Sequence, residues 1–150
     1  MSHSQRAKEL FLQGYNCAQA VFIAFSDLTG YDVDDAARIS SSFGGGMGRL
    51  REVCGAVSGA FMVAGCLYGY ADETDKDAKT AHYALIQNIA ARFIEKNGTI
   101  ICRDLVGAEA NDKSAVPTDR TPDFYKRRPC VELVEIAAEI MDEIIEEKGL

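Results

Sequence analysis

The positions of proline constrain the fold of this chain more than any other feature. All three prolines lie between residues 117 and 129. Elsewhere, apolar residues recur every three or four positions, the spacing of one face of an α-helix. No segment alternates apolar and polar residues as a half-buried strand does, and there is no internal repeat. The sequence therefore predicts an all-α fold: a single-domain helical bundle of about five to seven helices over residues 1–150.

Capping residues and glycines predict where the helices begin and end. Residues 107–128 are polar and contain two of the prolines, so they are predicted to form an irregular surface excursion. The uncharged residues 53–71 are close to the length of a membrane span. Their four glycines, one serine and two tyrosines dilute the hydrophobicity, which favours a buried core helix. Helices are predicted over residues 4–13, 16–30, 32–39, 52–68, 74–98, 102–106 and from 129 onward.

The distribution of charge excludes some classes of partner. The net charge is −7, and residues 131–150 hold seven acidic residues against one lysine. Nucleic-acid binding needs clustered lysine and arginine, and no basic stripe is present. No apolar stretch follows the charged N terminus as it would in a signal peptide. We predict a cytoplasmic protein with no membrane span and no nucleic-acid partner.

Five cysteines stand out, because a chain of this length buries a core without needing disulfides. Four of them are predicted at helix starts, where free N–H groups and the positive end of the helix dipole favour the thiolate. Nearby arginines and lysines at 51, 103 and 126–128 strengthen this expectation. The fifth, Cys66, lies in mid-helix and is predicted to be a packing residue. The four candidates for catalysis, and for binding any metal, are Cys17, Cys54, Cys102 and Cys130.

The spacing of the cysteines excludes several familiar sites. There is no C-x-x-C redox pair, no paired zinc knuckle and no compact ferredoxin-type run. What remains is a site assembled in space from four separate segments. It could hold a metal, an iron–sulfur or other cluster, or one or two reversible disulfides.

Glycines accompany two of these segments. In Cys54-Gly-Ala-Val-Ser-Gly59, two glycines one turn apart leave room for a ligand beside the thiol or for a closely packed helix. The loop Phe43-Gly-Gly-Gly-Met-Gly48, followed by Arg49 and Arg51, resembles an anion cradle but lacks the ending of a P-loop. Its glycines more simply let the backbone approach the region of Cys54. His82 is predicted to be a core histidine, with a role at the thiol site as the alternative. The candidate cofactor-binding glycines are Gly45, Gly46, Gly55 and Gly59.

These motifs resemble the family of "putative redox-active proteins" labelled C-GCAxxG-C-C. That family has four defining cysteines and a Cys-Gly-Ala-x-x-Gly motif around the second. The resemblance covers essentially the whole chain, and Cys66 is not one of the four positions. It implies a redox role for the four cysteines and, because similar modules occur beside electron-transfer domains, an iron–sulfur cluster as one occupant. The matching segments are Gly14–Ala20, Phe43–Arg49 and Cys54–Gly59, together with Cys102 and Cys130.

Three functional hypotheses follow from the sequence. The first is a redox or electron-transfer protein, with a thiol-based oxidoreductase as one form of it, whose four cysteines converge and serve a redox partner protein. The second is a non-catalytic helical module that binds a partner or forms a homo-oligomer. The third is a metal-binding or metal-sensing protein that uses the same cysteines.

Overall fold

The computed structural model describes residues 1–149, with Glu109 by its backbone alone. Within this part, nine right-handed α-helices and one isolated antiparallel bridge, Val53 to Ile101, are present, and there is no strand. The predicted all-α class is confirmed, although the helices outnumber the expected five to seven. The helices are α1 (His3–Gln13), α2 (Cys17–Ala24), α3 (Ser26–Thr29), α4 (Val33–Ser40), α5 (Gly55–Tyr68), α6 (Lys76–Asn97), α7 (Cys102–Val106), α8 (Pro122–Arg127) and α9 (Cys130–Lys148).

The predicted capping residues begin and end several of these helices. The Asn16 side chain accepts a hydrogen bond from the Gln19 N–H at 2.9 Å, and the Gln19 side chain accepts one from the Asn16 N–H at 3.0 Å. This reciprocal pair is a capping box, which fixes the start of α2 at Cys17. Gly14 and Gly98 end α1 and α6 with positive φ, as expected for C-terminal caps.

Two predicted boundaries are wrong. The helix expected over residues 16–30 is divided at Phe25, whose backbone angles of −100° and 17° separate α2 from α3. The helix expected from residue 52 begins only at Gly55, because residues 51–54 hydrogen-bond to residues 100–103 instead.

Helices α1, α2, α5 and α9 form the centre of the bundle, with α2 packed against the other three. Six of the eight residues of α2 are buried. A Cβ atom on Gly59 of α5 would lie 2.8 Å from the Ala18 carbonyl oxygen and 3.0 Å from the Val21 Cβ. This glycine therefore allows the backbones of α2 and α5 to approach closely. The long helix α6 lies outside this centre and buries only Ile89 and Phe93.

The predicted surface excursion, residues 107–128, is largely exposed but partly helical. It contains a 3-10 turn at Ala108–Ala110 and helix α8, which begins at Pro122 behind a cap from the Thr121 side chain. A proline in the first helical turn loses no hydrogen bond, so it starts this helix rather than preventing it. Among the described residues, no helix is both long enough and apolar enough to cross a membrane.

Candidate functional site

All four cysteines named from the sequence line a single cavity of about 320 Å³. Cys17, Cys102 and Cys130 are the first residues of α2, α7 and α9, and Cys54 is the N-cap of α5. The cavity thus lies where four helices begin. The structure brings the four residues to one cavity, while their predicted roles in catalysis or metal binding stay predictions.

A short antiparallel backbone pairing places Cys54 beside Cys102. The Cys54 N–H donates to the Ile100 carbonyl at 2.7 Å, and the Cys102 N–H donates to the Glu52 carbonyl at 2.6 Å. These two hydrogen bonds lie on either side of the Val53–Ile101 bridge. The pairing links segments almost 50 residues apart, which no local pattern reveals.

Gly55 brings Cys17 to the same place. A Cβ atom on Gly55 would lie 3.0 Å from the Cys17 Cβ and 2.9 Å from the Phe43 carbonyl oxygen. The glycine of the Cys-Gly-Ala-x-x-Gly motif therefore lets the start of α5 pack directly against the start of α2. The fourth cysteine, Cys130, lines the same cavity as Cys17, and each of the two thiols shifts the pKa of the other.

The glycine-rich loop forms a left-handed turn against the cavity. All five residues from Gly45 to Arg49 have positive φ angles, and Arg51 has one as well. The turn is held by backbone hydrogen bonds, including those from the Arg51 N–H to the Gly45 carbonyl and from the Glu52 N–H to the Gly46 carbonyl. A positive φ costs a non-glycine residue about 1–2 kcal/mol, so Met47, Arg49 and Arg51 are held in place by their surroundings.

Gly46 is the tightest point of this turn. A Cβ atom there would lie 2.6 Å from the Cys102 Cβ, 2.7 Å from the Arg51 Cα and 2.7 Å from the Glu52 nitrogen. The prediction that the loop glycines permit close backbone approach is correct, although at this glycine the neighbouring cysteine is Cys102. Gly45, Gly46 and Gly55 line the cavity, whereas Gly59 lies between α2 and α5 and does not.

Arg51 is the most unusual polar residue at the site, because its side chain is large and only 1% exposed. Its Nε donates to the Asp112 carbonyl at 3.0 Å, and its Nη1 lies 3.7 Å from the Cys102 sulfur. Its Nη2 is buried and has no hydrogen-bond partner. The cavity is lined by four arginines and by no described acidic side chain; the arginines are Arg49, Arg51, Arg120 and Arg128.

The other arginines are anchored by different partners. Arg49 donates to the Ser114 carbonyl at 2.6 Å and pairs with Asp112 at 3.6 Å. Arg120 donates to the carbonyls of Phe11 and Tyr15 at 2.8 and 3.0 Å. Through these bonds the surface excursion is fastened over the cavity.

Arg128 completes this set of anchored arginines. Its guanidinium lies 4.8 Å from the centre of the Phe124 ring, and its Nη2 lies 3.4 Å from the Thr118 hydroxyl. The place of Arg120 in the cavity lining could not be predicted from the sequence, because Arg120 lies in a polar segment away from the cysteines.

The expectation that all four cysteines favour the thiolate is wrong for three of them. Burial raises the pKa of Cys54 to about 12, although the N–H groups of Ala56 and Val57 oppose this by hydrogen bonding. Burial also raises the pKa of Cys102 against the opposing effect of Arg51. At these positions desolvation outweighs the helix dipole.

Cys17 and Cys130 form a coupled pair with opposite shifts. The hydrogen bond between them, together with burial, raises the pKa of Cys17 well above its ordinary value. The same hydrogen bond lowers the pKa of Cys130, and the charges of Arg128, Arg120 and Arg51 lower it further against the effect of burial. Of the two thiols, Cys130 is therefore the one that ionises more readily.

Several residues considered from the sequence lie elsewhere. Cys66 is exposed on α5, so its predicted packing role is wrong. Arg103 pairs with Glu52 at 3.2 Å and does not line the cavity. His82 is half-buried, lies edge-on to the Tyr70 ring and is also outside the cavity lining.

A metal ion does not fit the side chains as they are arranged. In the part of the chain that the structure describes, no three histidine, cysteine, aspartate or glutamate side chains form a group that could hold one. The four cysteines all line the cavity, and we derive no chemical step through a metal or a cluster there.

The fold and the cavity together define a class of small helical protein with four buried or half-buried thiols at one site. The chain belongs to the family described as "Putative redox-active protein (C_GCAxxG_C_C)", whose model matches residues 15–144. It is similar to an uncharacterized protein of Archaeoglobus fulgidus, with 27% identity over 152 aligned positions that cover 93% of each chain. No solved structure matches it.

Proposed function

We propose that this protein is a dithiol–disulfide oxidoreductase in which Cys130 and Cys17 form the redox pair. The observation that carries the proposal is that Cys17 and Cys130, the first residues of α2 and α9, line the same four-cysteine cavity. The opposite shifts of their two pKa values support it. The family description as redox-active supports the proposal, because redox activity requires groups that gain and lose electrons. Cysteine pairs do so reversibly without a cofactor.

The two thiols have complementary roles in the proposed exchange. The Cys130 thiolate attacks one sulfur of an oxidising disulfide, the sulfur–sulfur bond breaks, and the departing thiolate takes a proton. Cys17 then loses its proton and attacks the Cys130 sulfur, which releases the second thiol and forms the Cys17–Cys130 disulfide. Two electrons pass from the cysteine pair to the external disulfide, which leaves as two thiols.

The remaining two thiols are assigned supporting roles. Cys54 is 4% exposed and has a pKa of about 12, so it stays protonated and unreactive at neutral pH. Cys102 lies against the Arg51 guanidinium and lines the cavity next to the pair. A reducing, cytoplasmic location would keep all of these thiols available for the reaction.

Disulfide mapping tests the proposal. The reduced protein is oxidised with a stoichiometric small disulfide, its free thiols are counted, and the linkage is located by peptide mass spectrometry. We expect the loss of two thiols and a Cys17–Cys130 linkage, with Cys54 still free. Linkage of Cys54 to Cys102, or a random mixture of linkages, would contradict the assignment.

Matched serine variants sharpen this test. Cys130→Ser should abolish oxidation, and Cys17→Ser should stop the reaction at a mixed disulfide on Cys130. Cys66→Ser is the control, because Cys66 is exposed and lies outside the cavity. Stoichiometric iron and sulfide in anaerobically purified protein would instead favour the iron–sulfur hypothesis.

A further inference from the structure

The burial of the redox pair limits the size of the molecule that can reach it. Cys130 is only 8% exposed, and Cys17 is half-buried. The attacking thiolate must reach a sulfur of the disulfide, and the burial of Cys130 restricts the approach of a large folded partner. A cavity of about 320 Å³ lies at the small end of the range for ligand pockets.

The cavity reaches solvent, since several of its lining residues are exposed. Its lining includes exposed residues from the glycine loop and from the surface excursion, namely Ser41, Gly48, Ala115, Pro117 and Thr118. A small molecule can therefore enter between these two segments without unfolding a helix.

The charge of the cavity defines the chemistry of such a molecule. Burial, and next the charge of Arg51, lower the pKa of both the Arg49 and the Arg128 guanidinium, so the three arginines lie close together. No described acidic side chain lines the cavity, although the chain as a whole carries a net charge of −7. Buried positive charges require counter-charges. Asp112 supplies one to Arg49 at 3.6 Å, but no described carboxylate pairs with Arg51.

Arg51 identifies where the second negative charge would bind. Its guanidinium is buried and has no carboxylate partner among the described side chains, and its Nη2 lacks a hydrogen bond altogether. Leaving a buried charged donor unpaired is costly, and an anion bound at Nη2 would satisfy it. A planar carboxylate or a sulfonate matches this donor.

We propose that the substrate is a small anionic disulfide whose acidic group binds Arg51 while its sulfur atoms face Cys130. This inference rests on the proposed thiol–disulfide function and specifies its substrate class. Binding at Arg51 holds the disulfide in the cavity, so the Cys130 thiolate attacks a positioned sulfur. The atoms and electrons balance as in the exchange above, and two anionic thiols leave.

A charge series of small disulfides tests this proposal. Reduced protein is mixed with dithiodiglycolate, 2-hydroxyethyl disulfide or cystamine, which are anionic, neutral and cationic, and the rate of oxidation is followed by loss of free thiol. We expect the anionic disulfide to react at least about tenfold faster than the neutral one, the usual value of a charge-assisted hydrogen bond. A simple thiolate on an acidic protein would show the opposite order, because like charges repel.

Two arginine variants assign the preference to Arg51. Arg51→Met should remove the preference for the anion, measured as the ratio of the anionic to the neutral rate. The neutral rate should fall as well, because the Arg51 charge lowers the pKa of Cys130. Arg103→Met removes the same charge outside the cavity lining and should leave the preference intact. If both variants keep the preference, Arg51 does not bind the anion and the inference is overturned.

The outcomes separate this inference from the proposed function. If no disulfide oxidises Cys17 and Cys130, the proposed function itself fails. If all three disulfides oxidise the pair at similar rates, the function stands and the substrate class is wrong. If Arg51→Met does not fold, the wild-type protein still tests the inference. Added methanesulfonate, an anion without a disulfide, should slow oxidation by the anionic disulfide more than oxidation by the neutral one.

Discussion

Gly46→Ala should destabilise the protein more than the same substitution at a glycine where the new Cβ atom would meet no other atom. The new Cβ atom would lie 2.6–2.7 Å from the Cys102 Cβ, the Arg51 Cα and the Glu52 nitrogen. Two of these are backbone atoms, which cannot move aside as a flexible side chain can. Overpacking of this kind costs about 1–3 kcal/mol.

A second cost comes from the backbone conformation itself. Gly46 has a φ of 73°, and alanine in this region costs about 1–2 kcal/mol. The two costs together give about 2–5 kcal/mol for Gly46→Ala. In a domain of this size each kcal/mol lowers the melting temperature by about 2–4 °C.

Gly98→Ala is the matched control for this measurement. Gly98 also has a positive φ, 87°, but a Cβ atom there meets nothing within 4 Å. Gly98→Ala should therefore show the backbone cost alone. The difference between the two losses of stability measures the cost of the contacts that a Cβ atom on Gly46 makes with Cys102, Arg51 and Glu52. Urea unfolding of both variants supplies the two free energies, and equal losses of stability would refute the close approach of the loop to Cys102.

Two further predictions concern the thiols. With limiting iodoacetamide, Cys130 should be alkylated first. Because its pKa is lowered, it should also stay reactive as the pH falls below the ordinary thiol range. Cys54, with a pKa of about 12, should stay unmodified at neutral pH. Peptide mass spectrometry across a pH series measures this, and modification of Cys54 before Cys130 would contradict it. Cys66→Ser should change the free energy of unfolding by less than about 0.5 kcal/mol, since an exposed residue has little packing to lose; a larger loss in urea unfolding would show that Cys66 packs after all.

The fold class was accessible from the sequence because helical periodicity and capping are local. Asn16, Gly14 and Gly98 act through neighbours within a few residues, so their roles are visible in the sequence itself. The break at Phe25 and the start of α5 at Gly55 were not predicted. The second depends on backbone pairing with residues 100–103, which lie far along the chain.

The candidate site, too, could be predicted only in part from the sequence. The four cysteines could be named from their places at helix starts, and the dipole argument suggested their ionisation. Burial reverses that argument for Cys54 and Cys102, and burial is a property of the tertiary structure. Arg51 illustrates the same limit, since the sequence places it before Cys54, whereas its guanidinium contacts Cys102.

If Cys17 and Cys130 form the proposed disulfide, their wide spacing along the chain couples the redox state of the pair to folding. A disulfide between them would close a loop of about a hundred residues, which restricts the unfolded chain by about 4.7 kcal/mol in the loop-entropy model. By thermodynamic linkage, the folded state would make that disulfide harder to reduce by the same free energy, or about 100 mV for two electrons. The bundle that brings α2 and α9 together would thus set the potential at which its own thiols exchange electrons.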